Sequence, residues 1–162
     1  MNSSANQAQP INTISFDPEL TPGARNAVNV CLRVQSSEKV TVITDEASRE
    51  IAAAIVRELE NLGARYHAWV LEEIASRPLE HLPQVICDDL ETSQVSIFAV
   101  QAQMNELKSR MEMTDIVNRR RIRHAHMVNI NRQIMLEGMR ADFLKVDRIS
   151  AKVVDMVRKA KQ

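Results

Sequence analysis

Lys39 to Asp45 (KVTVITD) is the stretch of sequence that decides the fold. Its β-branched residues place apolar side chains on both faces of an extended chain, which is the pattern of a strand covered on both sides, as in parallel sheets. Asp45 can cap the helix that follows, whose apolar residues recur at helical spacing up to Leu62, and Gly63 is a usual helix terminator. The segment 39–63 therefore predicts a unit of strand, helix and turn.

Similar units follow, so that strands alternate with helices along the chain. The predicted elements are a helix from Thr21 to about Val34, strands at Tyr66–Leu71 and Val95–Val100, a short helix at Pro83–Leu90, and helices from about Glu106 to Arg121 and from about Asp142 onward. Ala125–Ile130 fits a fourth strand, and a continued helix is the alternative. This alternation predicts an α/β fold with an open parallel sheet of about four strands, helices on both faces and right-handed crossovers, which is a Rossmann-like arrangement.

Length and composition bear on the domain organisation. A chain of 162 residues has the usual size of one domain and can bury a real core. The polar, aperiodic residues 1–17 predict a flexible amino-terminal arm, which leaves 18–162 as a single α/β domain. Aromatic residues make up only 3% of the sequence and methionines number eight, so we expect an aliphatic core filled by methionine.

Cysteine content and hydropathy bear on the compartment. Cys31 and Cys87 lie in apolar helical patterns and are too few for a disulfide framework, which predicts free thiols in a reducing, cytoplasmic setting. No stretch approaches the roughly 18 consecutive apolar residues of a membrane span, and residues 1–16 show no secretory pattern. We therefore expect a protein that neither enters the membrane nor is secreted.

Charge is divided unevenly along the chain, although the net charge is zero. Residues 1–100 hold 14 acidic and 7 basic residues, whereas residues 101–162 hold 7 acidic and 14 basic ones. The densest basic patch, a candidate partner-binding surface, consists of Arg119, Arg120, Arg121 and Arg123. A nucleic-acid interface would also need aromatic platforms or a reading helix, so nucleic acid is not the partner we expect. The alternative is that these arginines complement the helix dipole and pair with acids of the first half.

The sequence contains no complete catalytic or metal-binding pattern. The loop after the first strand has no glycine and carries Asp45 and Glu46, two acids that would repel a bound phosphate. His124 and His126 are spaced as on one face of a strand, but they are too few for a zinc site and indicate a solvent-facing or hydrogen-bonded pair. The acidic cluster within residues 88–91 is interpreted as solvated surface, and no nucleophile elbow is present.

Three stretches of sequence carry a resemblance to a known family. They are LTPGARNAVNVCLRV (20–34), EKVTVITDEASREIAAAIVRELENLGA (38–64) and SIFAVQAQMNELKSRMEMTDIVNRRRIRHAHMVNINRQIMLEGMRADFLKVDRIS (96–150). They resemble the amino-terminal portion of the thermophilic aminopeptidases, the metal-dependent, leucyl aminopeptidase-like enzymes of the aminopeptidase T and S type. The resemblance covers roughly Glu19 to Arg158.

The resemblance implies that the chain belongs to a peptide-hydrolysing enzyme but does not itself carry the catalytic residues. Enzymes of this family release amino-terminal residues with two divalent metals such as zinc or cobalt, commonly as dimers, and their ligands lie in a carboxyl-terminal part. No residue here matches those ligands, so we assign no catalytic or metal-binding residue and expect the chain alone to be inactive and to bind no cofactor. It is then a non-catalytic amino-terminal scaffold domain or a truncated homologue, which contacts a catalytic carboxyl-terminal part or forms a homodimer. The alternative is a free-standing binding or assembly module that has lost the catalytic half and takes an acidic protein or a nucleic acid as its partner.

Overall fold

Four parallel strands form the centre of the protein, in a computed structural model that describes residues 9–160. The strands are β1 (Lys39–Thr44), β2 (Arg65–Val70), β3 (Val95–Val100) and β4 (Arg123–Val128). They lie in the order β2-β1-β3-β4, and each neighbouring pair is parallel. The predicted α/β fold with an open parallel sheet is confirmed. The fourth element is a strand and not a continued helix, because Arg121 takes a left-handed conformation with φ of 55° and ends the preceding helix.

Helices connect and flank the strands. They are α1 (Thr21–Arg25), which continues as a π-helical segment (Asn26–Cys31), α2 (Arg49–Leu62), α3 (Leu71–Ile74), α4 (Gln84–Glu91), α5 (Leu107–Arg120), α6 (Arg132–Leu136) and α7 (Phe143–Lys159). Short 3-10 turns occupy Ile11–Thr13, Pro18–Leu20, Glu46–Ser48 and Gly138–Arg140. None of the helices in residues 9–160 is long and apolar enough to cross a membrane.

The first strand and helix are bounded by the residues that the sequence indicates. The Asp45 carboxylate accepts a hydrogen bond from the Ser48 backbone N–H at 2.9 Å and caps the 3-10 turn that leads into α2. At the other end Gly63 adopts φ of 73°, the left-handed conformation that costs glycine little. Between these bounds α2 packs an aliphatic stripe, including Ile51, Ile55 and Leu59, against the sheet.

The sheet separates two apolar clusters, which form the core. One face carries Val40, Val42 and Ile97 and is covered by α1 and α2. The other face carries Ile43 and Phe98 and is covered by α4 and α5. Alternate residues of each strand therefore reach opposite clusters, as expected for strands buried on both sides.

The described part of the predicted flexible arm, residues 9–17, differs from that expectation. Ile11 is buried in the larger cluster, the Asn12 amide donates to Glu60, and the Asp17 backbone N–H donates to Glu50. One buried isoleucine and these hydrogen bonds join the segment to α2, although its composition is polar. Residues 9–17 therefore belong to the folded domain, while residues 1–8 lie outside the described residues.

The buried face of α5 differs from the one that its sequence pattern predicts. Leu107, Met111, Thr114 and Val117 recur at helical spacing and predict an apolar face, but Leu107 and Met111 are both exposed, whereas Met113 is fully buried beside Val117. Ser109, Met113 and Val117 also recur at four-residue spacing, and these residues form the buried stripe. The Ser109 hydroxyl donates a hydrogen bond to the Glu106 carbonyl oxygen. Two equivalent periods in one helix made the sequence pattern ambiguous.

Close packing at Gly23 generates a stability prediction. A Cβ atom at this position would lie 2.7 Å from the Met135 carbonyl oxygen and 3.1 Å from the Met139 Cβ. Because backbone cannot move aside cheaply, Gly23→Ala should lower the free energy of unfolding by about 1 to 3 kcal/mol in urea denaturation. Gly138→Ala is the matched control, since nothing lies within 4 Å of its added Cβ. Equal stability of the two variants would contradict this packing.

Candidate functional site

The carboxyl ends of β1 and β3 form the place where an open parallel sheet usually binds a ligand. From β1 the chain moves to β2 on one side of the sheet, and from β3 it moves to β4 on the other side. Ligands of such sheets bind in the crevice at this change of direction. In this protein Asp45 follows β1 and Gln101 follows β3, so these two residues line the crevice.

Asp45 is buried in that crevice, and its carboxylate accepts three hydrogen bonds from other parts of the chain. Its carboxylate accepts from the Ser48 backbone N–H at 2.9 Å, from the Gln101 backbone N–H at 2.6 Å and from the Arg77 guanidinium at 2.9 Å. The side chain thus ties the end of β1 to the end of β3 and to the loop between α3 and α4. A carboxylate held by three donors has little capacity left for a ligand.

Arg77 fills the crevice itself, with only 4% of its side chain exposed. The guanidinium donates to both Glu106 oxygens, at 2.8 Å and 2.5 Å, and to the Gln101 carbonyl oxygen at 2.8 Å. A longer contact of 3.2 Å reaches Glu72. Hydrogen bonding to Glu106 raises the pKa of Arg77, and the guanidinium in turn lowers the pKa of the Glu106 carboxyl. The chain's own ion pairs therefore occupy the position that a ligand takes in many α/β proteins.

Removing the Arg77 guanidinium should destabilise the protein strongly. Arg77→Met leaves the buried carboxylates of Asp45 and Glu106 without their cation, which should cost about 3 to 5 kcal/mol of the free energy of unfolding. Urea denaturation measures this loss. Adding Glu106→Gln to Arg77→Met should recover part of it, because one uncompensated charge is removed. Arg57→Met, which alters an arginine on the exposed side of α2, is the control, and an equal loss there would contradict the proposed importance of burial.

A second buried carboxylate, Asp89, lies under the amino-terminal half of the sheet. Its oxygens contact Lys39 Nζ at 2.6 Å, His67 Nδ1 at 2.9 Å, Thr41 Oγ1 at 2.8 Å and Trp69 Nε1 at 2.9 Å. Burial alone would raise the pKa of Asp89, but these hydrogen bonds outweigh it, so the pKa lies below its usual value. The contacts of the Asp89 carboxylate join the end of α4 to β1 and β2.

The interpretation of residues 88–91 as solvated surface is therefore wrong for Asp89. The residue lies three positions after Ile86 and directly before Leu90, two residues of α4 that are fully buried. The helical period places it on the inward face, and that signal was available in the sequence. Asp88 is exposed, as expected, whereas Glu91 is half-buried and forms ion pairs with Arg119 and Arg120.

The Asp89 cluster should make stability depend on pH. Because the folded pKa of Asp89 lies below its unfolded value of about 3.9, its ionised form stabilises the fold above that pH, and the contribution is lost as the pH falls through the folded pKa. We expect Asp89→Asn to lower the free energy of unfolding by about 3 kcal/mol at pH 7 and by progressively less below about pH 4.

Chemical denaturation of wild type and variant across this pH range measures the difference. Asp88→Asn changes the neighbouring, exposed carboxylate in the same way and should have little effect at any pH. A constant difference between Asp89→Asn and wild type from pH 7 to pH 3 would contradict the assignment of the stabilising charge.

His124 and His126 form a hydrogen-bonded pair on β4. Ser96 Oγ lies 2.8 Å from His124 Nδ1, and His124 Nε2 lies 3.1 Å from His126 Nδ1. The His126 ring also stacks on Phe98 with centroids 5.4 Å apart. Burial lowers the pKa of His124 to about 4, and burial together with the charge of Arg110 lowers the pKa of His126. Both rings are therefore neutral near pH 7, and of the two predicted arrangements the hydrogen-bonded one is confirmed.

The basic patch of Arg119, Arg120, Arg121 and Arg123 does not form one continuous free surface. Arg119 and Arg120 end α5 and form ion pairs with Glu91 of α4. Arg123 begins β4, where its guanidinium contacts Glu38 at 2.6 Å and the Leu32 carbonyl oxygen at 2.9 Å. The expected pairing with acids of the first half of the chain is thus observed for three of the four arginines.

Metal-binding capacity is limited among residues 9–160. No group of three or more histidine, cysteine, aspartate or glutamate side chains in this range is arranged to hold a metal ion. The buried carboxylates are already held by Arg77 and by Lys39, and the imidazoles of His124 and His126 contact each other. Cys31 is exposed and Cys87 is partly buried, and both are free thiols.

Neither a comparison with protein-family models nor a search of curated proteins yields a match for this sequence. The resemblance to the aminopeptidases therefore stays a prediction based on the quoted stretches.

Arg77 is the residue of this site that the sequence does not predict. It lies in a loop without periodicity, and its partners Asp45 and Glu106 are about 30 residues away on either side.

Proposed function

We propose that this chain is a non-catalytic amino-terminal scaffold domain, or a truncated homologue, of a metal-dependent aminopeptidase that removes amino-terminal residues from peptides in the cytoplasm. The observation that carries the proposal is the closure of the crevice between β1 and β3 by Arg77. A side chain 4% exposed and held by two buried carboxylates contributes to architecture and leaves no room there for a substrate. The family resemblance supplies the identity of the enzyme.

The described residues do not fit the two-metal centre of the proposed family. Two divalent ions require several carboxylate and imidazole ligands that converge, and residues 9–160 bring no three such side chains together. In the proposed enzyme the zinc or cobalt ions lie in a carboxyl-terminal part, as the family resemblance implies. The role of this chain in such an enzyme is to hold that part, or a second copy of the enzyme, in position.

A second candidate function is a binding or assembly module without a link to peptide hydrolysis. The observation that favours it is α7, whose 17 residues are all at least partly exposed although its apolar side chains are aligned along one face. The patch of Arg119 to Arg123 supports it less, because three of these arginines already have acidic partners. In this role the chain takes an acidic protein as its partner.

An activity assay tests the aminopeptidase proposal. With added zinc or cobalt, the chain alone should not hydrolyse leucine p-nitroanilide, because no two-metal ligand set is available in residues 9–160. Mixed with a separately produced carboxyl-terminal part of a T- or S-type aminopeptidase, it should increase turnover or thermal stability of that part. Chelator-sensitive hydrolysis by the chain alone would contradict a scaffold role.

Two variants of the chain serve as controls for the mixing experiment with the carboxyl-terminal part. Gly138→Ala, which is expected to fold normally, should support the carboxyl-terminal part as well as the wild type does. Arg77→Met, which should destabilise the scaffold, should support the carboxyl-terminal part less well. If neither protein affects the carboxyl-terminal part, the assembly module without hydrolytic connection becomes the better account.

A further inference from the structure

Helix α7 leaves the body of the domain and has an apolar face that nothing in residues 9–160 covers. None of its residues is buried, and its main contacts are with the π-helical segment Asn26–Cys31. Apart from Phe143, which is half-buried, its large apolar side chains are 46% to 71% exposed. An isolated helix of this length is marginal in water, and helices usually gain stability by packing an amphipathic face. The exposed face of α7 therefore indicates a docking surface.

The apolar residues of α7 form one continuous stripe. Val146, Ile149, Val153, Met156 and Ala160 follow each other at steps of three and four residues, which is the seam spacing of helices that pack side by side. Val157 and Val154 widen the stripe on one side. Valine, isoleucine and methionine are side chains that interdigitate with a partner, so the face is suited to a protein groove.

A row of lysines lies along one edge of this stripe. Lys145, Lys152 and Lys159 recur every seven residues and so line the edge next to Ile149 and Met156. Within the described part of the chain, Lys145 and Lys152 have no acidic partner, and Lys159 contacts only Asp155 one turn away. A row of lysines beside an apolar seam is complementary to a row of carboxylates on the surface that covers the seam.

The opposite edge of the stripe has a mixed charge. Asp147 and Arg158 lie there, one acidic and one basic. Helices that rest on anionic membranes are typically rich in lysine and arginine over their whole polar face and insert tryptophan, phenylalanine and leucine. In α7, Asp147 and Asp155 interrupt the basic charge of Arg148, Arg158 and the three lysines, and the apolar face is rich in valine, so the helix fits a protein partner better than a lipid surface.

A second copy of α7 would be a poor occupant of this face. In a parallel pair each lysine row would face Ser150 and Val157 of the other helix, which carry no negative charge. In an antiparallel pair the two lysine rows would face each other and repel. Neither arrangement gives the lysine row an acidic partner, so self-pairing along this seam is disfavoured relative to docking on an acidic surface.

We propose that α7 docks its apolar face into a groove of a partner protein whose rim is acidic along the Lys145, Lys152 and Lys159 edge. This inference names the chemistry of the partner surface and does not depend on whether that partner is an aminopeptidase. The lysines fix the direction and register of docking, while the seam from Val146 to Ala160 supplies the apolar contact.

Two synthetic helical peptides with the same leucine and isoleucine seam test the proposal on the full chain. One peptide carries glutamate at all positions that flank the seam, and the other carries lysine. In fluorescence anisotropy the glutamate peptide should bind, more weakly as salt increases, and the lysine peptide should not. The double variant Lys145→Glu/Lys152→Glu should weaken binding of the glutamate peptide by about tenfold and allow the lysine peptide to bind.

A matched pair of single variants separates the two edges of the seam. Lys152→Glu and Arg158→Glu make the same charge change on exposed residues of the same helix, so circular dichroism should show equal folding. Only Lys152→Glu should weaken the binding of the glutamate peptide. The proposal is overturned if neither peptide binds, if both bind equally, or if the two variants have the same effect. It is also overturned if phosphatidylglycerol vesicles bind the chain and the peptides do not, or if the chain self-associates through α7 instead.

Discussion

The bidentate ion pair between Arg77 and Glu106, completed by Asp45, is the interaction on which the carboxyl-terminal edge of the sheet depends. It joins the end of β1, the end of β3, the start of α5 and the loop after α3. Buried charges are costly unless each has a partner and its hydrogen bonds, and here every oxygen of Asp45 and Glu106 that faces the core has a donor. The same group of contacts turns a potential ligand crevice into a fixed part of the architecture.

The Asp89 cluster plays the corresponding part at the other end of the same sheet face. Both clusters place a carboxylate under the sheet and surround it with donors from several elements, and the apolar residues Ile43 and Phe98 lie between them. The domain is thus fastened by polar contacts at two ends and by aliphatic packing in the middle. A core with few aromatic side chains gains specificity of arrangement from such directional contacts.

Local signals in the sequence predict much of this fold, and long-range pairings explain most of what they miss. The β-branched pattern of β1, apolar on both faces, the Asp45 cap and Gly63 act within a few residues, and each is found where the sequence indicates. Arg77 could not be predicted, because an arginine in an irregular loop shows no trace of partners about 30 residues away. Asp89 could have been predicted from its spacing to Ile86 on α4.

Strand β4 lies at the outer edge of the sheet, and this position has a consequence for solubility. An edge strand offers unpaired backbone groups to any other extended chain, which is a common route to aggregation. β4 is only six residues long, begins with the arginine at 123 and carries the imidazole of His126 on its exposed surface. The charged and polar side chains along this edge make strand addition by neighbouring molecules less favourable.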